Sequence, residues 1–452
     1  MFAAPRFLAV DDKPEHLTAI VETFRRLGTP CMGVHFDVAE PLEKLNFRGV
    51  RALFLDLHLV TGIKTTDEKQ HYANIASILE ENISEFGGPF ILILWTEYPD
   101  LAAALTDYLD QNLDPERPWC RPLAIMPLAK DRFINVGTGA TEVGDDLRTA
   151  IQSALDDNPQ IAALVGWETD VLTAAGETLS SLTSLVPVAS RTTALFGAAL
   201  DEVLSRLAIE SVGKKHVADD PRAAVTSALA PILADRIVNQ EAIGATAATW
   251  SKAVTRHGKN QPAPATPGEA GGINRMLHVA LPTGERIAPA DWGAVSAYPE
   301  DLWNDAALMD LLGVNMDHML REEFKVRKED HSACRPRLVR IGAVCDHAQK
   351  RPGPVPFLFA VEIPVSLERL LTNKKTGQPL PPSAAEWRSP VLTLPDELDP
   401  FVLHVNSRFE ITRPAAATET WAVSYRLREQ LLMQLIGHTT TYVGRPGIVR
   451  LP

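Results

Sequence analysis

The sequence predicts a multidomain chain: an N-terminal α/β domain on a doubly wound, five-stranded parallel sheet, then a helical connector, then a mostly β C-terminal domain. Three observations predict it. Residues 1–158 alternate short apolar runs with amphipathic stretches, residues 159–258 are rich in Ala and Leu at helical spacing, and beyond 272 the apolar runs are short and cut by proline. A chain of 452 residues also exceeds what one hydrophobic core organises. The expected domains are 1–158, 159–272 and 273–452.

In the first domain, Phe7–Val10 reads as a strand. Lys13–Leu27 reads as a helix, with Pro14 suited to its first turn, Gly28 to its C-cap, and Leu17, Ile20, Val21, Phe24 and Leu27 on one face. A weaker strand follows near Gly33–Phe36, with a short helix around Pro41–Leu45. Then come a strand at Ala52–Leu55, a helix at His71–Ile83, a strand at Phe90–Trp95 and a helix from Pro99 to about Leu109. A fifth strand at Leu123–Pro127 and a fifth helix at Asp145–Leu155 close the set. Near-continuous apolar strands separated by helices imply a parallel sheet covered on both faces.

The connector is expected to be helical at Ile161–Val171, Leu179–Val186, Ala194–Leu207 and Ala223–Ile237. Residues 256–272, rich in Pro and Gly, read as a linker or long loop. The last domain is expected to carry strands at Met276–Ala280, Leu338–Val344, Pro356–Ile363, Val391–Leu394, Phe401–Val405 and Phe409–Thr412, in a small barrel. Helices are expected at Leu308–Arg321 and Tyr425–His438.

Bulk properties exclude several functions. Residues 1–158 hold 14 Lys and Arg against 25 Asp and Glu, a net of −11 that leaves only −2 for the rest of the chain. An acidic module of that kind does not hold phosphate backbones, so nucleic acid is not an expected partner. No stretch has the length and apolarity of a membrane span or a signal peptide. Cys31, Cys120, Cys334 and Cys345 read as free thiols, which suits a cytoplasmic location.

The chemistry concentrates at the ends of the apolar runs. Asp11 and Asp12 follow Phe7–Val10, Asp56 follows Ala52–Leu55, Thr96 follows Ile91–Trp95, and Lys130 follows Leu123–Ala129. In a parallel sheet, ligands bind outside the carboxyl ends of the strands, where all five are expected to meet. Three carboxylates suit Mg²⁺, a lysine suits a phosphate oxygen, and a carboxylate nucleophile beside them suits phosphoryl transfer to an acyl phosphate.

Val10-Asp11-Asp12, Leu55-Asp56-Leu57, Trp95-Thr96 and Ala129-Lys130, in that order, resemble the receiver domains of two-component response regulators. The resemblance covers about a third of the chain. It implies that Asp56 is the phosphoacceptor, that Asp11, Asp12, Asp56 and the His58 backbone carbonyl hold Mg²⁺, and that Thr96 and Lys130 read the phosphoryl group. A partner histidine kinase or phosphodonor protein is implied, as is a signalling rather than a turnover role. Four features depart from the family: Asp131 where it carries a proline, Glu97 where it carries a small residue, Met126-Pro127-Leu128 in place of an aromatic switch, and a longer loop at Thr61–Gln70.

In the C-terminal part, Cys345-Asp346-His347-Ala348-Gln349, Tyr425-Arg426-Leu427-Arg428-Glu429 and Arg445-Pro446-Gly447-Ile448 resemble β-rich domains of proteins from prokaryotic conflict and phage-defence operons. That resemblance implies a domain that binds other proteins. It leaves open an adaptor with an unphosphorylated receiver-like domain, and a nuclease or hydrolase effector. His331, Cys334, Cys345 and His347 are a further set of potential zinc ligands, on either side of an expected strand.

Overall fold

The computed structural model describes residues 6–60 except 27 and 29, 68–134 except 86, 147–258 except 148, 152, 154 and 155, and then 261–283, 286–299, 304–349, 351–368, 383–395, 397 and 399–445. The chain divides into two compact units, Met1–Leu179 with Leu233–His257, and Ser180–Ile232 with Gly258–Pro452. Two of the three boundaries fall inside helices, Pro159–Ser184 and Pro221–Asn239, and the third, between His257 and Gly258, lies in a turn.

The first unit carries the expected parallel sheet. Its strands are β1 (Phe7–Asp11), β2 (Cys31–His35), β3 (Ala52–Leu55), β4 (Ile91–Thr96) and β5 (Ile125–Ala129), in the order β2-β1-β3-β4-β5. Every pairing is parallel. Because side chains alternate across a strand, the apolar runs feed two cores at once. Leu8, Val10, Leu53, Leu55, Leu92 and Leu94 face one core with helices α2 (Glu68–Asn82) and α3 (Ala102–Asn112). Ala9, Phe54, Ile93, Trp95 and Met126 face the other with Leu17, Ile20 and Phe24 of α1 (Pro14–Arg26). This is the doubly wound arrangement the sequence predicts. Pro127 is tolerated because β5 is an edge strand, paired only with β4.

Helix boundaries moved most where spacing alone had to set them. The two expected helices Ile161–Val171 and Leu179–Val186 are one helix, Pro159–Ser184, since no proline or cap interrupts them. The expected helix near Pro41–Leu45 is a single 3-10 turn, Lys44–Phe47. Of Asp145–Leu155, the described residues Leu147, Thr149–Ile151 and Ser153 are helical and the rest lies outside the described residues, as do Thr61–Asp67 and Pro446–Ile448.

The second unit holds an antiparallel, seven-stranded sheet in the order β10-β11-β9-β8-β7-β12-β6. These strands are β6 (Val279–Ala280), β7 (Ala294–Ala297), β8 (Arg335–Arg340), β9 (Pro354–Pro364), β10 (Glu386–Arg388), β11 (Phe401–Pro414) and β12 (Val423–Leu427). No ladder joins β10 to β6 among the described residues, so the expected barrel is an open sheet. One face packs on Leu431, Leu432 and Leu435 of the helix Glu429–Val443, the other on Leu308, Met319, Leu320 and Phe324.

Several expectations are corrected here. The loop expected to run to 272 and the strand expected at Met276–Ala280 give way to a helix, Pro267–His278, leaving only Val279–Ala280 as strand. A capping box between Thr266 and Glu269, with Pro267 in the first turn, starts that helix. Val391–Leu394 is no strand, contributing one bridge from Leu392 to Phe401. Phe401–Val405 and Phe409–Thr412 are halves of β11, separated by a bulge between Val405 and Glu410. Leu308–Arg321 breaks after Leu312 at Gly313, whose φ of 73° ends the helix Asp305–Leu312. Tyr425 belongs to β12, and the last helix begins at Glu429.

Candidate metal centre

Register brings the strand-end residues together. Val10 pairs with Leu55, Leu55 with Leu94, Trp95 with Leu128, and Thr96 with Ala129. The next residues along are Asp11, Asp56, Thr96 and Lys130, all at one edge of the sheet. The strand order reverses between β1 and β3, which opens the crevice where a doubly wound sheet binds its ligand. Asp11 and Asp56 stand on the two strands flanking that crevice, with Asp12 just beyond β1.

All but one of these side chains are buried. Asp11, Thr96 and Lys130 have at most 1% exposure and Asp56 has 5%. Lys130 Nζ lies 2.7 Å from Asp11 Oδ2 and 2.7 Å from Asp56 Oδ2. It is also 3.2 Å from His16 Nδ1, which accepts because an ammonium can only donate. Asp11 Oδ1 accepts from the Lys13 backbone N–H at 2.9 Å. Thr96 Oγ1 accepts from the Tyr98 N–H at 3.1 Å, so its own hydroxyl proton is available to a ligand.

Asp12 is the exception. Its Oδ1 is buried with no hydrogen-bond partner among the described residues. Burial, reinforced by the charges of Asp11 and Asp56, pushes its carboxyl above the usual carboxylate value. Three carboxylates thus share one buried ammonium. Ligand oxygens of Asp11, Asp12 and Asp56 fall within 4.8 Å of one another, as a cation site requires. The donor set is all oxygen and fits a hard divalent ion.

The chain matches no protein-family model, no curated protein and no solved structure. What the site can do therefore rests on its own geometry.

The positions of Asp131 and Glu97 follow from the same geometry. The Lys130 turn has no proline, yet the backbone N–H groups of Phe133 and Ile134 both bond the Lys130 carbonyl at 3.0 Å, and Phe133 stacks on Trp95. Asp131 is exposed on that turn. Glu97 is also exposed and lies 3.9 Å from the Lys13 ammonium, which offsets its charge.

His58, two residues past Asp56, is half-buried. Its ring meets His71 edge-on at 4.4 Å and Tyr98 at 4.9 Å. Burial and the neighbouring His71 hold its imidazole below the usual histidine value, against the pull of Asp56 and Glu97.

Sequence reasoning missed His16 and His71. Each occupies a helix position on the core-facing stripe, His16 beside Leu17 and Ile20, and His71 four residues before Ile75. A histidine on an otherwise apolar stripe was the available signal.

The potential zinc set does not assemble. Among the described residues the acidic cluster is the one group of three such ligands close enough to share an ion. Cys334 is buried with its thiol pushed up to about 11, Cys345 is exposed, and Asp346 pairs with Arg351 at 3.2 Å.

Proposed function

We propose that this chain is a response-regulator-like signalling protein in which Asp56 accepts a phosphoryl group from a partner kinase, in the presence of Mg²⁺. One observation carries the reading. A single ammonium, Lys130, bridges two buried strand-end carboxylates, and a third carboxylate oxygen beside them has no hydrogen-bond partner among the described residues. That charge imbalance favours a cation and then an anionic ligand.

Asp11, Asp12 and Asp56 would hold the ion, which supplies neutralisation of the phosphoryl oxygens. An Asp56 carboxylate oxygen forms the new bond to phosphorus, and the donor's bond to its leaving group breaks with the electron pair going to that group. Lys130 exchanges its contact with Asp56 Oδ2 for a phosphoryl oxygen, and the Thr96 hydroxyl donates to another. The added negative charge then alters which contacts of the first unit are favourable, an electrostatic switch read by a partner of the second unit.

The test is incubation with Mg²⁺ and a small phosphodonor, followed by intact-mass measurement. The wild type should gain one phosphoryl group, and Asp56→Asn should gain none. An unmodified wild type beside a labelled control receiver would sink the reading for small donors.

A further inference from the structure

Next to the carboxylate cluster is a second set of ligand atoms that phosphoryl transfer does not use. His71, near the start of α2, is 1% exposed, and among the described residues neither of its ring nitrogens has a hydrogen-bond partner. His58 Nε2 is also buried without one. Buried polar side-chain atoms are nearly always satisfied, so three orphaned imidazole nitrogens on touching rings are unusual.

The edge-on contact of the rings, at 4.4 Å and 83°, allows one N–H to point at a ring face. It does nothing for the lone pairs, one of which each neutral ring carries. Nitrogen lone pairs in a poorly solvated pocket are satisfied by a proton donor or by a metal ion. No donor is supplied by the described residues, and the half-buried His58 leaves a route from solvent.

We propose that His58 and His71 form a two-imidazole site for a borderline transition-metal cation of the Zn²⁺ class, with water completing the coordination. Donor softness separates it from the cluster of Asp11, Asp12 and Asp56: imidazole nitrogen selects Zn²⁺ or Co²⁺, carboxylate oxygen selects Mg²⁺. It does not rest on the phosphoryl reading and holds whether or not Asp56 is phosphorylated.

The experiment is titration of the full chain with Zn²⁺ by calorimetry, and with Co²⁺ by visible absorption, both in saturating Mg²⁺. One ion should bind per chain, with a Co²⁺ spectrum of nitrogen ligation. His58→Gln, at the half-buried position, should weaken binding by about tenfold or more. His71→Gln should do the same, with its melting curve showing that the variant is folded. Unchanged binding in His58→Gln would overturn the proposal, as would displacement of the ion by Mg²⁺, which would place it among the carboxylates.

Discussion

Lys130 is the residue on which the strand-end cluster depends electrostatically. With 1% exposure and two carboxylate oxygens at 2.7 Å, it is the buried counter-charge for Asp11 and Asp56 together. Removing one partner of a buried ion pair leaves an uncompensated charge, so Lys130→Met should destabilise the first unit by about 3–5 kcal/mol, measurable by denaturant unfolding. Asp12 behaves in the opposite sense. Its folded carboxyl titrates above the unfolded value of 3.8, so the native state holds the proton more tightly. That contribution is fully present below the unfolded value and is lost as pH rises through the raised one. Asp12→Asn should therefore raise the melting temperature of the metal-free protein at neutral pH, and the gain should shrink as pH falls toward 4. At this scale Asp11, Asp12, Asp56, Thr96 and Lys130 were legible because each ends an apolar run. The contact of His16 with Lys130 was not, because the histidine's place on an apolar stripe shows that it is buried and not which residue 114 positions away it meets.

Among the elements, the helix Pro159–Ser184 is tied to the sheet by the ion pairs of Glu168 as well as by the packing of Ile161 on the core. Glu168 receives Arg51 Nε at 2.7 Å and Arg6 Nη2 at 2.5 Å, from residues that lead into β3 and β1 at the end of the sheet away from the carboxylate cluster. Burial pushes the Glu168 carboxyl up, but the two guanidinium groups outweigh it and hold it low. Gly88 completes the clamp: its φ is +83°, and a Cβ there would come within 2.5 Å of the Arg51 guanidinium. Because these groups are partly exposed, Glu168→Gln should cost a modest 1–2 kcal/mol or so, read as faster hydrogen exchange in residues 159–179. Element type was legible for the central parallel strands, whose apolar runs are near-continuous, and weaker for β2, which is largely exposed. It failed at Met276–Ala280, where Met276 and Leu277 suit either period and the capping box at Thr266 decided for helix. It failed again at Tyr425, an apolar residue that begins a helical-looking run yet lies in β12, its hydroxyl donating to the buried Glu362 at 3.0 Å.

For the whole molecule, two units with separate cores predict two unfolding transitions. An ion bound by Asp11, Asp12 and Asp56 stabilises only the unit that contains them. Mg²⁺ at a hundredfold excess over its dissociation constant should add about 2.7 kcal/mol to that unit, shifting one calorimetric transition upward and leaving the other in place. No helix among the described residues is long and apolar enough to cross a membrane. The sequence by itself determined the doubly wound parallel sheet and the composition of the cluster at its strand ends, because hydrophobic period and chain order are local properties. It also determined that the chain is multidomain. Only the tertiary structure decided that Lys130 sits between Asp11 and Asp56, that an oxygen of Asp12 has no hydrogen-bond partner among the described residues, and that His58 meets His71. Those facts depend on strand register and on helices laid against the sheet, which are set by packing between residues far apart in the chain.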